Sequence, residues 1–132
     1  MGMFSSNGKD VTIRFGERTV IGLTEKVIIK SLDGKEKEVL ARIDTGATTS
    51  SVDVGLAAEL GLGPVIKSKL IKSASGSGMR AVVKAIMVME NQDKECEFNL
   101  ADRTHMKYRV LIGQNILKDG GFLIDPTKSQ ID

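Results

Sequence analysis

The chain has 132 residues, which is the length of one ordinary domain and is enough to bury a hydrophobic core. Hydrophobic residues make up 41% of it and charged residues 27%, as in soluble globular proteins, and no apolar run approaches the roughly 18 residues of a membrane helix. The net charge is only +2 and aromatic residues are 4%, so neither a nucleic-acid partner nor a membrane is expected.

The first ten residues do not form a secretory signal, because they lack a positively charged start and an apolar core. The chain has one cysteine, Cys96, whereas a disulfide framework needs pairs. We therefore expect a cytoplasmic protein in which residues 1–10 are a disordered leader and residues 11–132 form a single domain.

Short strands dominate the predicted secondary structure, because Val and Ile alternate with polar residues while Gly, Asp and Asn mark the breaks. A first strand is expected at residues 11–15. Residues 27–32 and 38–43 flank Asp33-Gly34, which is a strong signal for a β-hairpin. The second arm of this hairpin leads into Asp44.

A polar loop and a short helix are expected next. Residues 45–51 are too rich in Gly, Thr and Ser to continue the strand. Asp53 can cap a helix that runs to Leu60, with Gly61 as its stop. Asp53 is therefore interpreted as an N-cap without a catalytic role.

The second half of the chain also consists mainly of strands. Residues 65–72 and 79–89 are strand-like and flank a Ser- and Gly-rich connector at 73–78, which predicts a mobile hairpin. Further short strands are predicted at 95–100, 108–112 and 122–124, with one helical turn at 114–118. The whole pattern favours a mainly β fold with one or two short helices.

Asp44 lies in the sequence Ile-Asp-Thr-Gly-Ala, on a tight loop directly after a predicted buried strand. Such a loop is a rigid support from which a catalytic carboxylate can be aimed. Gly46 can bring its backbone close to the carboxylate because it has no Cβ, and Thr45 can hydrogen-bond across to a symmetric neighbour. The triplet alone also fits a structural turn. The apolar run that ends in Gly113 makes the combined pattern specific.

These motifs resemble the retropepsin-like aspartic proteases, in which an apolar-Asp-Thr-Gly-Ala strand end is followed by a flap hairpin and an apolar-apolar-Gly segment. The resemblance covers residues 27–126 and is strongest to the cellular group labelled ATP-dependent zinc proteases, some of which accompany ATP-grasp glutamate ligases. It is carried by residues 42–47, 102–108, 110–113 and 122–126. Thr48 departs from that group, in which many members have Arg.

The resemblance implies a retropepsin-like acid-protease β-barrel with Asp44 as the catalytic residue. It further implies a set of active-site support residues around Asp44 and in the second motif: Thr45, Gly46, Ala47, Ile112 and Gly113. A flap that binds substrate is implied, with its tip at Ser75, Gly76, Ser77 and Gly78. On sequence alone, an ordinary exposed turn explains the same Ser and Gly residues equally well.

Hydrolysis by this chemistry requires two carboxylates that share one proton around an attacking water. The chain has one Asp-Thr-Gly loop, and its other Asp-Gly pairs, Asp33-Gly34 and Asp119-Gly120, lack the threonine. A twofold homodimer would supply the second carboxylate. The predicted function is therefore an aspartic endopeptidase, a homodimer that cleaves a peptide or protein substrate with water activated between Asp44 of the two subunits.

Two other functions remain open. A peptidase that trims glutamate tails from a ligase-modified protein would need cations to hold acidic side chains, and the candidates are Lys67, Lys69, Lys72 and Arg80. A non-catalytic peptide-binding or assembly module would keep the fold without turnover.

No cofactor and no metal site are expected. Zinc sites usually have three protein ligands, often on a His-Glu-x-x-His helix, whereas His105 and Cys96 are each alone in the sequence. The glycines at Gly2 and Gly8 do not have the spacing of a phosphate-binding P-loop. His105 is interpreted as a turn residue and Cys96 as a small core residue.

Overall fold

The computed structural model describes residues 3–4, 11–74 and 76–129. Within them the chain forms eleven strands and two short helices. The strands are β1 Met3–Phe4, β2 Val11–Phe15, β3 Arg18–Ile21, β4 Thr24–Lys30, β5 Glu36–Ile43, β6 Ser50–Asp53, β7 Lys67–Ser73, β8 Gly76–Met89, β9 Gln92–Ala101, β10 Val110–Ile112 and β11 Phe122–Ile124. The helices are α1 Val54–Leu60 and α2 Gln114–Leu117. None of the described helices is long and apolar enough to cross a bilayer.

Six strands close into a barrel in the order β4, β5, β10, β6, β9 and β8, because β8 pairs back onto β4. Strand β7 adds to the free side of β8 and completes a long hairpin. Strand β10 lies between β5, to which it is parallel, and β6, to which it is antiparallel. This strand order brings the end of β10 beside the end of β5, so Gly113 and Asp44 become neighbours. The predicted mainly β barrel with short helices is confirmed.

A second, smaller sheet has the order β1, β2, β3 and β11, with β11 parallel to β3. Met3 and Phe4 pair antiparallel with β2 in this sheet, where a disordered leader was expected. The other residues of the expected leader lie outside the described residues. The small sheet therefore involves both the N-terminal and the C-terminal parts of the described chain.

The core fills the barrel with aliphatic side chains from alternate strand positions. Val110 and Ile112 of β10 are fully buried, and Ala41 and Ile43 of the adjacent β5 are buried beside them. Each fully buried Val or Ile contributes about 1.5–3 kcal/mol to folding. The two strands that lead into Asp44 and Gly113 are therefore among the most firmly anchored parts of the fold.

The local signals in the sequence agree with the structure at α1. The side chain of Asp53 accepts hydrogen bonds from the backbone N–H groups of Gly55 and Leu56, and Gly61 ends the helix with a φ of 66°. A positive φ of this size favours glycine. The predicted N-cap and stop are both confirmed.

The structure differs from the prediction at β3 and β6, which were not expected as strands, and at the connector 73–78. Most of that connector belongs to the hairpin, since β7 continues to Ser73 and β8 begins at Gly76. Strand β6 has a polar sequence but is buried at Ser50 and Ser51. Buried polar residues of this kind cannot be recognised from an apolar alternation.

Candidate active site

Asp44 is held on a tight loop by two backbone–backbone hydrogen bonds and by one from a backbone N–H to its side chain. Its own N–H donates to the carbonyl of Ile112 at 2.9 Å, and the N–H of Ala47 donates to the Asp44 carbonyl at 3.2 Å. The N–H of Gly46 donates to the carboxylate oxygen Oδ1 at 3.0 Å. The side chain of Asp44 is half-buried. The carboxylate is thus fixed in direction and still open to solvent.

Gly113 packs against this loop so closely that only glycine fits. A Cβ at this position would lie 2.4 Å from the carbonyl oxygen of Thr49 and 2.8 Å from that of Ala47. The next residue, Gln114, donates its backbone N–H to the Ala47 carbonyl and its side-chain Nε2 to the Thr45 carbonyl, both at 2.8 Å. The structure therefore brings together the six predicted residues around Asp44: Asp44, Thr45, Gly46, Ala47, Ile112 and Gly113.

Buried polar side chains support the loop from below. The hydroxyl of Ser50 donates to Asn115 Oδ1 at 2.7 Å and accepts from the N–H of Gly113 at 2.8 Å. Asn99, only 2% exposed, donates through Nδ2 to Thr49 Oγ1 and to the Ser50 carbonyl, each at 3.0 Å. Neither Ser50 nor Asn99 was predicted as a site residue, because Ser50 falls in the predicted polar loop 45–51 and a single Asn in the predicted strand 95–100 gives no local signal.

An open cleft of about 760 Å³ lies over Asp44. The Asp44 loop forms its floor, and one wall comes from the β7–β8 hairpin through residues 69–72, Ala74 and Arg80. A further wall carries Arg103 and Met106, from the loop between β9 and β10. Of the predicted flap residues, Gly76, Ser77 and Gly78 form the exposed start of β8, and Ser75 lies outside the described residues.

The cleft is strongly basic. Among the described residues that line it, Asp44 is the single carboxylate, whereas four carry positive charge: Lys69, Lys72, Arg80 and Arg103. Lys67, which the sequence analysis grouped with these cations, instead pairs with Glu97 at 2.9 Å and does not line the cleft. Arg103 was not among the predicted cations, although it falls within the segment 102–108 that carries the family resemblance.

The loop that carries Arg103 is tied to Asp53. The buried carboxylate of Asp53 accepts from the backbone N–H of Arg103 at 2.8 Å and from Arg109 NH2 at 3.0 Å. Burial acts to raise the pKa of Asp53, but these hydrogen bonds and the Arg109 charge outweigh it and hold the pKa below its ordinary value. Asp53 is therefore ionised, and it joins α1 to the wall of the cleft.

The other titratable residues that the sequence singled out, His105 and Cys96, do not line the cleft. His105 is exposed in a turn. Cys96 is buried, and burial raises the pKa of its thiol to about 11. In the described part of the chain, no group of three His, Cys, Asp or Glu residues is placed to hold a metal ion. These residues do not fit the zinc site that the group's label would imply.

A comparison with protein-family models shows the family to which this chain belongs. A sequence model described as RimB-like, retropepsin-like aspartic endopeptidase RimB, matches residues 57–132. The chain belongs to the RimB-like family. The matched region includes the β7–β8 hairpin, the loop that carries Arg103, and Gly113, and it begins after Asp44. No curated protein matches the chain.

Solved structures give the same fold for this RimB-like chain. EIAV protease complexed with the inhibitor HBY-793 matches with a TM-score of 0.64 at 18% identity, over 86% of this chain and 99% of that chain. A Legionella pneumophila protein of unknown function matches with a TM-score of 0.60 at 18% identity, over 83% of this chain and 95% of that chain. Identities this low show the fold alone, and the predicted retropepsin-like barrel is confirmed.

Proposed function

We propose that this RimB-like protein is an aspartic endopeptidase that works as a homodimer, with the attacking water activated between Asp44 of the two subunits. One observation carries the proposal: the Asp44 carboxylate is fixed by the Gly46 N–H at the floor of a cleft large enough for a peptide. Membership of a family described as aspartic endopeptidases agrees with it.

The chemistry requires a pair of carboxylates. One carboxylate takes a proton from water while the oxygen of that water bonds to the peptide carbonyl carbon, and the protonated partner donates to the carbonyl oxygen. Collapse of this intermediate breaks the C–N bond, and the amine leaves with a proton from the pair. A single chain has one Asp44 loop, so the second carboxylate has to come from an identical subunit.

The surroundings of Asp44 support such a pairing. Thr45 and Gly46 are exposed beside the carboxylate, while the backbone of the loop is fixed by Gln114 and Ile112. A rigid, exposed loop suits an isologous contact, in which the same residues meet across the twofold axis. The β7–β8 hairpin would cover an extended peptide, with Leu70 and Ile71 facing the cleft.

A second candidate, also a peptidase, is the trimming of glutamate tails from a ligase-modified protein. The observation that favours it is the basic cleft, whose described lining residues include four cations and one carboxylate. Cations at these positions would offset the repulsion between Asp44 and an acidic substrate. The reaction would be the same, and only the substrate preference would differ.

The test compares the wild-type protein with Asp44→Asn on a mixed peptide library, from acid to neutral pH, with sedimentation run in parallel. We expect cleavage by the wild type, a loss of at least about 100-fold in the variant, and a dimer for both. Cleavage that persists in the variant, or comes from a monomer, would refute the proposal. Poly-glutamate added to the library separates the two candidates.

A further inference from the structure

Arg103 reaches the cleft with most of its hydrogen-bonding capacity unused. Its Nε donates to the carbonyl of Tyr108 at 2.8 Å. Within residues 3–4, 11–74 and 76–129, its terminal NH1 and NH2 groups have no hydrogen bond and no ion pair. A guanidinium has five N–H donors in a planar fork that matches the two oxygens of a carboxylate. The free side of Arg103 therefore has the donors of a carboxylate receptor.

The position of Arg103 is set by Asp53, which is 1% exposed. This carboxylate accepts a hydrogen bond from the backbone N–H of Arg103 at 2.8 Å. It also accepts from Arg109, the residue directly before β10, through Nε at 3.3 Å and NH2 at 3.0 Å. Both ends of the loop are thus tied to one buried charge. The contact between Arg103 Nε and Tyr108 closes the loop on itself, so binding by Arg103 requires little further ordering.

Arg80 is the second guanidinium of the cleft, and it is also held by a buried residue. Its NH1 donates to Asn99 Oδ1 at 3.0 Å. Asn99 is fixed in turn by the hydroxyl of Ser51, which donates to the same oxygen at 2.8 Å, and by its own bonds to Thr49 and Ser50. Neither Arg80 nor Arg103 forms an ion pair with a carboxylate in the described chain.

The two arginines are close enough to affect one another. Burial is the main cause that lowers the pKa of Arg103, and the charge of Arg80 is the next. The charges of Asp53 and Asp44 act in the opposite direction, but neither carboxylate forms an ion pair with either guanidinium in the described chain, so the two positive charges still repel each other and a bound anion would offset that repulsion. An anion also gains from charge-assisted hydrogen bonds to both forks.

We propose that Arg103 and Arg80 form a carboxylate-binding subsite in the cleft, that Arg103 is the residue that selects acidic substrates, and that Asp53 is its positioning residue. The assignment rests on the proposed function, because the bound carboxylate belongs to the substrate. Two sources share this chemistry: the side chain of a Glu or Asp residue, and the α-carboxylate at the end of a peptide.

The experiment measures binding without turnover, so that it does not depend on the catalytic mechanism. Fluorescent peptides with Glu or with matched Gln residues, each with a free or an amidated C-terminus, are titrated into Asp44→Asn protein. We expect the Glu peptide to bind better, and the added change Arg103→Gln to weaken it by about tenfold, to the level of the Gln peptide. Arg80→Gln should have a similar effect.

Lys67→Gln is the matched control, because it also removes one positive charge. Lys67 lies on β7, next to the strand of Arg80, but it pairs with Glu97 and does not line the cleft. Its effect on either peptide should stay below about twofold. Arg103→Lys keeps the charge without the planar fork and should restore only part of the preference. If amidation weakens the Glu and Gln peptides equally and Glu binds no better than Gln, the subsite binds the α-carboxylate; a Glu preference that persists after amidation shows that the side chain is bound.

The role of Asp53 is tested by the same titration with Asp53→Asn, whose folding is checked by circular dichroism. A positioning role predicts that Asp53→Asn lowers the affinity for the Glu peptide and leaves the weak affinity for the Gln peptide unchanged. A general destabilisation of the fold would weaken the binding of both peptides. Equal binding by Arg103→Gln and Lys67→Gln would overturn the subsite, as would binding that depends neither on Glu nor on a free C-terminus. Cleavage of neutral peptides by the wild type would then show that the peptidase assignment survives.

Discussion

Lys128 and the arginines of the cleft show two ways in which this fold holds positive charge. The side chain of Lys128 is 7% exposed, and its ammonium donates to Glu25 at 2.9 Å, to Glu90 at 3.0 Å and to the Val20 carbonyl at 3.0 Å. In the described chain, the guanidinium groups of Arg80 and Arg103 donate only to neutral oxygens. A buried charge matched by opposite charge holds elements together, whereas an unmatched charge in a cleft is available to a ligand.

The contacts of Lys128 explain its structural role. They connect the segment after β11 with β3, with the start of β4 and with the turn between β8 and β9. Burial alone would lower the pKa of Lys128, but the hydrogen bonds that it donates to Glu25 and Glu90 reverse this and raise it. Lys128 is therefore charged at neutral pH and joins the small sheet to the barrel.

The largest effect on stability is expected for Lys128→Met. The change leaves Glu25 and Glu90 buried without their cation, which should lower the free energy of unfolding by about 3–5 kcal/mol. Urea denaturation at pH 7 measures it. Lys67→Met is the control: its pair with Glu97 is half exposed, and its loss should change stability by less than about 1 kcal/mol. Equal losses in the two variants would contradict the comparison.

Asp53→Asn should lower the free energy of unfolding by an intermediate amount, about 1.5–3 kcal/mol. Asn can still cap α1, but it loses the hydrogen bonds that the charged carboxylate accepts from Arg103 and Arg109. The folded pKa of Asp53 is lowered, so its contribution is fully present above the ordinary Asp value of about 3.9 and is lost as the pH falls through the folded pKa. Denaturation of both proteins at pH 7 and pH 3 should show the difference shrinking in acid. A constant difference would contradict this assignment.

Glu90→Gln should change the free energy of unfolding least, by no more than about 1 kcal/mol at pH 7. Glu25 still pairs with Lys128, and Gln can still accept a hydrogen bond from it. Burial, together with the neighbouring Glu25, raises the pKa of Glu90. Wild-type stability therefore falls as the pH rises from about 4.3, the ordinary Glu value, through the folded pKa. The variant should lack that fall in denaturation series between pH 4 and pH 7. A loss as large as that of Lys128→Met would mean that both carboxylates are required.

Local signals in the sequence were enough to predict several elements. Asp33-Gly34 gave the hairpin of β4 and β5, and Asp53 and Gly61 gave the ends of α1. The two motifs around Asp44 and Gly113 predicted a contact that the parallel pairing of β5 and β10 makes. In each case the physical cause lies within a few neighbouring residues or in a motif with a known geometry.

Long-range register could not be predicted in the same way. Lys67 and Lys69 both lie on β7, which pairs with β8, and β8 pairs with β9. In this arrangement Lys67 forms an ion pair with Glu97 of β9, whereas Lys69 lines the cleft. Arg103 lines the cleft on a loop whose backbone is bound by Asp53, fifty positions earlier in the sequence. Glu25 and Lys128 come from opposite ends of the described chain. Such contacts depend on the closed barrel, which no local pattern specifies.

The shared pair of Asp44 carboxylates is tested most directly by mixing subunits. Wild-type and Asp44→Asn proteins are mixed in equal amounts at constant total concentration, left to exchange, and assayed on a cleaved peptide. If each active site needs Asp44 from both subunits, only wild-type pairs are active, and activity falls to about a quarter of the wild-type value. Activity of about one half would mean that each chain works alone, and would contradict the shared pair.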